Sequence, residues 1–147
     1  MPAGELLFVD TNVVLYTVDP EEAWKRQAAS HWMDALWFHG AGRLSWQVLN
    51  EFYSNLVGKF KASKKEARAC VEALAQWQPI GFGLGLVQRA WYWNDKAGVP
   101  YWDGLILASA ESAGCSYLLT EDFQAGRRFG DVTVVNPFTR RPEEFRL

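Results

Sequence analysis

Short apolar runs alternate along this chain with longer segments of helical periodicity, and this alternation constrains the fold most. The predicted strands are Leu6–Val9, Arg43–Trp46, a weak one at Pro79–Gly81, Tyr117–Thr120 and Val132–Val135. Most of them are separated by segments of ten or more residues whose apolar side chains recur at helical spacing. Strands that alternate with helices predict a three-layer α/β fold, with a central parallel sheet of about five strands and helices on both faces.

The segments between the strands have recognisable helix starts and stops. Asp10-Thr11-Asn12 supplies N-cap chemistry before the apolar segment Val13–Tyr16, and Ser63 with Glu66 forms a capping-box pattern. The longer predicted helices are Glu21–Phe38, Gln47–Val57, Ser63–Trp77, Leu84–Lys96 and Asp103–Ala113. No internal repeat or linker-like segment interrupts this pattern, so we expect a single domain over residues 1–147.

Composition and charge bound the class of protein. Of the 147 residues, 49% are apolar and 22% are charged, which is typical of a globular domain. No apolar run approaches the ~20 residues of a membrane helix, and the N-terminus lacks a signal-like basic start, so a cytoplasmic protein is expected. The net charge of −2 argues against a bulk nucleic-acid binder. Cys70 and Cys115 are expected to be reduced thiols.

Acidic residues follow or closely trail the apolar runs. They are Asp10, Glu51, Asp103 and Asp122. If the runs lie in or beside one parallel sheet, these four carboxylates converge at one edge, where either their pKa values rise or a divalent cation sits among them. Because the chain has only two histidines, oxygen ligands for Mg²⁺ or Mn²⁺ are favoured over zinc chemistry. The pattern predicts a metal-dependent phosphoryl-transfer site.

Other interpretations of the same acids stay open from the residues alone. Asp10 and Asp103 are also typical of helix N-caps, Glu51 of a helix surface and Asp122 of a turn. Asp10-Thr11-Asn12 is similar to the nucleophile loop of haloacid-dehalogenase-type phosphatases, although Asn12 replaces their second aspartate. A small phosphatase with Asp10 as nucleophile and a non-catalytic RNA- or protein-binding module are therefore the alternatives to a nuclease.

Four motifs occur in order along almost the whole chain. They are Phe8-Val9-Asp10-Thr11-Asn12; Ser45 six residues before Glu51; Asp103 with Ile106, Ala108 and Ala110; and Leu119-Thr120-Glu121-Asp122. In this order they resemble the motifs of PIN-domain ribonucleases, particularly the VapC-type toxins of bacterial toxin–antitoxin pairs.

The resemblance implies a metal-dependent endoribonuclease that leaves 5′-phosphate and 3′-hydroxyl ends on its RNA products. Its implied ligands for Mg²⁺ or Mn²⁺, some of them through water, are Asp10, Glu51, Asp103 and Asp122. Thr11 and Asn12 would orient the first aspartate and Thr120 the last. A cognate antitoxin protein and a homodimer are the implied partners, with no membrane association.

Tryptophans are the feature that the family pattern does not explain. Trp24, Trp32 and Trp37 lie on one predicted helix, and we interpret them as core or as an apolar face for a protein partner, with Trp32 a possible hot spot. Trp102 directly precedes Asp103 and is the one aromatic residue placed to meet a base at the site.

Overall fold

A five-stranded sheet forms the centre of the computed structural model, which describes residues 4–147. Its strands are β1 (Leu7–Val9), β2 (Gly42–Arg43), β3 (Tyr117–Leu119), β4 (Arg128–Phe129) and β5 (Val132–Val135). They lie in the order β2-β1-β3-β5-β4. All neighbours are parallel except β4, which pairs antiparallel with β5. The predicted α/β fold with a largely parallel sheet of five strands is confirmed.

Two details of the predicted sheet are wrong. The Pro79–Gly81 segment contributes only a single bridge, between Ile80 and Ser45, and the fifth strand is instead the short β4 at the sheet edge. The second strand, β2, begins directly after the buried Ala41 and ends at Arg43. It does not continue to Trp46. Ser45 explains this end, because its hydroxyl accepts a hydrogen bond from the Val48 amide and starts a helix there.

Six α-helices accompany the sheet within residues 4–147, close to the predicted segments. They are α1 (Thr11–Tyr16), α2 (Ala23–His39), α3 (Trp46–Gly58), α4 (Lys64–Leu74), α5 (Leu84–Ala97) and α6 (Tyr101–Ser112). Short 3-10 turns follow at Ala75–Trp77 and Pro142–Phe145. Asp10 and Ser63 cap α1 and α4 with their side chains, as the sequence predicts.

The central helix α6 packs directly on β1, β3 and β5, and α5 packs closely on α6. Residues Gly104–Ala110 of α6 are all buried. A Cβ atom at Gly104 would lie 2.8 Å from the backbone oxygen of Ala90 on α5, so only glycine permits this close approach of the two helices. The first turn of α6, which carries Asp103, is therefore fixed against both the sheet and α5.

The tryptophans of α2 do not form one apolar face. Trp32 is a core residue, 1% exposed, and its indole N–H donates to the backbone oxygens of Pro137 and Arg140. Trp24 and Trp37 are more than half exposed. The interpretation of Trp32 as a partner hot spot is therefore wrong. Within residues 4–147, no helix is long and apolar enough to span a membrane, and Cys70 and Cys115 are free thiols.

Candidate active site

The four acidic residues lie on different elements that meet beyond the ends of β1 and β3. Asp10 follows β1 directly and caps α1, and Asp122 lies three residues after the end of β3. Glu51 is in the middle of α3, and Asp103 is in the first turn of α6. The backbone amide of Asp10 donates to the oxygen of Leu119, which holds the two strand ends side by side.

Asp10 is the most tightly held of these carboxylates and is only 5% exposed. Its Oδ1 accepts a hydrogen bond from the Thr11 amide at 2.7 Å. Its Oδ2 accepts from the Thr120 hydroxyl at 2.9 Å and lies 3.2 Å from the Asn12 side-chain nitrogen. All three donors are neutral, so they orient the carboxylate without supplying a counter-charge.

Asn12 connects the first acid to the last. Its Nδ2 lies 3.0 Å from the Thr120 hydroxyl and 3.0 Å from the carboxylate of Asp122, in addition to its contact with Asp10. The Thr120 hydroxyl also accepts from the Asp122 amide at 3.1 Å. Asn12 and Thr120 therefore link the turn after β3 to the end of β1. Asn12 contacts the carboxylate of Asp10, as the resemblance implies, whereas the Thr120 hydroxyl donates to Asp10 and meets only the backbone amide of Asp122.

Glu51 joins the group through two side chains. The Thr11 hydroxyl donates to its Oε2 at 3.3 Å, and the Gln47 side-chain amide donates to its Oε1 at 2.8 Å. The same Gln47 nitrogen lies 3.2 Å from the backbone oxygen of Trp102, next to Asp103. Gln47 is a site residue that the sequence analysis missed, although its position one helical turn before Glu51 could have drawn attention to it.

Burial and mutual repulsion shape the electrostatics of the cluster. Burial, with smaller contributions from the charges of Asp122 and Glu51, raises the pKa of Asp10 to about 7 against the hydrogen bonds that lower it. Burial and the same two charges also raise the pKa of Asp103. None of the ion pairs within residues 4–147 involves these four acids. The cluster therefore lacks a protein cation of its own.

Glu121, next to Asp122 in the chain, is paired with a protein cation. Lys25 on α2 pairs with its carboxylate at 2.9 Å, and the Tyr16 hydroxyl donates to the same group. Hydrogen bonding to Glu121 raises the pKa of Lys25, which keeps the lysine charged. This pair ties the turn that carries Asp122 to α2, and no sequence signal connects residues so far apart in the chain.

The ligand atoms that the cluster offers to a metal ion are carboxylate oxygens. Within residues 4–147, no three His, Cys, Asp or Glu side chains are grouped so that they could hold a metal ion by themselves. Magnesium commonly takes only one or two carboxylates and retains several waters, and hard cations prefer carboxylate oxygens. The oxygen-only donor set is therefore of the chemical type that hard divalent cations prefer.

Comparisons with known proteins agree with this fold. The family model of the PIN domain matches residues 7–129. A chain in a solved toxin-antitoxin complex from Klebsiella pneumoniae is similar in structure, with a TM-score of 0.64 and 19% identity over 90% of this chain and 97% of that one. No curated protein matches the sequence. Because the family match covers most of the chain, this protein belongs to the PIN domain family.

Proposed function

We propose that this PIN domain is a metal-dependent endoribonuclease that hydrolyses RNA phosphodiester bonds. The observation that carries the proposal is the cluster of Asp10, Glu51, Asp103 and Asp122, in which carboxylates lie near a buried aspartate and, within residues 4–147, none of them pairs with a protein cation. Repulsion among these carboxylates disfavours their ionised form, and a bound cation would remove it. Hydrolysis of a phosphodiester needs positive charge at the developing phosphoryl oxygens, which a divalent ion supplies.

The neighbours of the cluster orient its carboxylates. When bound, Mg²⁺ or Mn²⁺ would supply Lewis acidity and would activate the attacking water. Asp10 presents a carboxylate whose orientation is fixed by Thr120 and the Thr11 amide. Asn12 donates a hydrogen bond to Asp122 and so fixes its position relative to Asp10. Gln47 fixes Glu51 in the same way. Preorganised ligands of this kind lose little freedom when the ion and the substrate arrive.

A partner protein belongs to the same proposal. The similar chain comes from a toxin-antitoxin complex, which supports a role for this protein as the toxin of a type II toxin–antitoxin pair. Its antitoxin would place an arginine or lysine against the uncompensated carboxylates and so occupy the position of the metal. Homodimerisation is proposed on the family resemblance alone.

A non-catalytic binding module is the second candidate. The observation that favours it is that no three acidic or other ligating side chains within residues 4–147 already form a metal-holding group. The phosphatase alternative has less support, because Asn12 stands where the nucleophile loop of those phosphatases has its second aspartate.

Cleavage of an end-labelled RNA in Mg²⁺, in Mn²⁺ and in EDTA separates the candidates. The nuclease proposal predicts cleavage with either metal, none in EDTA, and products with 5′-phosphate and 3′-hydroxyl ends. RNA that is bound but never cut in either metal would favour the binding module. Cleavage at full rate in EDTA would contradict the metal mechanism.

A further inference from the structure

Trp102 is an exposed aromatic residue beside the acidic cluster. Its side chain is 63% exposed, although the seven residues from Gly104 to Ala110 on the same helix are buried. Exposure alone carries little meaning, because single apolar side chains are common on protein surfaces and Trp24, Trp37 and Trp91 are also exposed. The contacts of its main chain distinguish Trp102 from these three.

The main chain of Trp102 shares a hydrogen-bond donor with the cluster. The Gln47 side-chain nitrogen donates at 2.8 Å to Glu51 and lies 3.2 Å from the Trp102 oxygen. Both contacts are made by the nitrogen of the Gln47 amide, so neither of them satisfies the amide oxygen. That oxygen, Oε1, is buried and has no hydrogen-bond partner within residues 4–147. One buried amide therefore fixes the position of Trp102 relative to Glu51.

The indole itself is supported on one side. The ring of Tyr101 contacts it edge to face, with centroids 5.4 Å apart and planes at 67°. Such a contact restricts the rotamers of Trp102 while most of the indole remains open to solvent. A flat aromatic surface with a fixed backbone and a supporting neighbour is suited to stack on another planar ring.

We propose that Trp102 stacks on a base of single-stranded RNA, adjacent to the phosphodiester that the acidic cluster cuts. This inference rests on the proposed nuclease function and adds a residue that binds the substrate. Stacking on an aromatic side chain needs a base face that is free, whereas bases within a duplex are covered by their neighbours. Trp102 is thus a substrate-binding residue whose partner is a base that is not stacked within a duplex.

The test compares Trp102→Ala and Trp102→Phe with the wild type on a short single-stranded RNA. Trp37→Ala is the matched control, because Trp37 is similarly exposed but lines a cavity with Ala113, at the other end of α6 from Trp102. We expect Trp102→Ala to raise KM about five-fold or more with kcat changed less than about two-fold. Trp102→Phe should restore most of the loss, and Trp37→Ala should match the wild type.

Base removal makes the test specific to stacking. A series of RNAs, each with one abasic nucleotide near the cut, should contain one position at which loss of the base raises KM for the wild type but not for Trp102→Ala. RNA affinity measured by fluorescence anisotropy in Ca²⁺, which binds oxygen ligands but positions a nucleophile poorly, should show the same non-additive pattern.

Three results would overturn the inference. They are unchanged KM and affinity in Trp102→Ala, additive effects of the substitution and base loss at every position, and equal cleavage of duplex and single-stranded RNA. In these cases the wild type still cuts RNA and the proposed function survives. A wild type that cuts no RNA in Mg²⁺ or Mn²⁺ would remove the proposed function, and this inference with it.

Discussion

Two carboxylates in this protein are held in opposite ways. Glu111 on α6 accepts two hydrogen bonds from the Arg89 guanidinium, at 3.0 and 2.8 Å, and a third from the indole of Trp93 at 2.6 Å. Asp10 is more deeply buried, yet within residues 4–147 it accepts hydrogen bonds from neutral donors only and lies near two further acids. Glu111 is compensated within the protein and joins α5 to α6, whereas Asp10 has no such compensation among the described residues.

A compensated carboxylate and an uncompensated one have opposite effects on stability. A paired carboxylate stabilises the fold, and loss of its partner leaves a charge behind. An unpaired buried carboxylate opposes folding unless it is protonated or meets a cation. The effects of substitution at the two sites should therefore have opposite signs for stability, and only one site should matter for cleavage.

The largest expected effect concerns RNA cleavage by Asp10→Asn. We expect a loss of about 100-fold or more in rate, because the amide cannot replace an anionic metal ligand, while the fold is retained. Asp131→Asn is the matched control, since Asp131 is a fully exposed acid outside the cluster. Initial rates on labelled RNA measure the effect, and more than about a tenth of wild-type activity in Asp10→Asn would argue against ligation.

The second effect is the pH dependence of stability without metal. The folded-state pKa of Asp10, about 7, lies above its ordinary value of 3.8, so its protonated form favours folding. This contribution is full below about pH 4 and is lost as the pH rises through 7, by an amount on the order of a few kcal/mol. Urea unfolding in EDTA between pH 4 and pH 8 measures it. Asp10→Asn should be more stable than the wild type at pH 8 and show a weaker pH dependence.

The smallest effect is at the compensated acid. Glu111→Gln should reduce the free energy of unfolding by about 1 kcal/mol, since the ion pair is partly exposed and screened by solvent. RNA cleavage should remain at the wild-type rate. Chemical denaturation together with the cleavage assay checks both statements. If Glu111→Gln were as inactive as Asp10→Asn, the distinction between the two carboxylates would be lost.

The positions of the acids were predictable because each signal is local. The apolar run before Asp10 and the run before Thr120 and Asp122 each predict a buried strand that ends at the edge of the sheet. In the structure these two strands are β1 and β3. Thr11, Asn12 and Thr120 lie beside these acids, but the hydroxyl of Thr11 donates to Glu51 and that of Thr120 to Asp10, pairings that the motifs did not indicate. Their roles in metal binding and catalysis remain predictions.

The rest depends on contacts between distant parts of the chain. Lys25 meets Glu121 only because α2 packs beside the turn after β3. Trp32 and Trp37 are five residues apart, a rotation of about 140° around a helix, so one is buried and the other exposed. The short strand β4 forms because the chain reverses at Gly130, which is in the left-handed conformation, and then pairs as β5 with β4. A strand of two residues is too short to show the alternating pattern from which strands are predicted.

Direct measurement of Mn²⁺ binding tests the central claim that the carboxylate cluster takes a divalent cation. Electron paramagnetic resonance detects free Mn²⁺ as it is titrated into the wild type, Asp10→Asn and Glu111→Gln, without any RNA present. We expect Mn²⁺ to bind saturably to the wild type and to Glu111→Gln, and at least about ten-fold more weakly to Asp10→Asn. Equal binding to all three proteins, or none to the wild type, would contradict this claim.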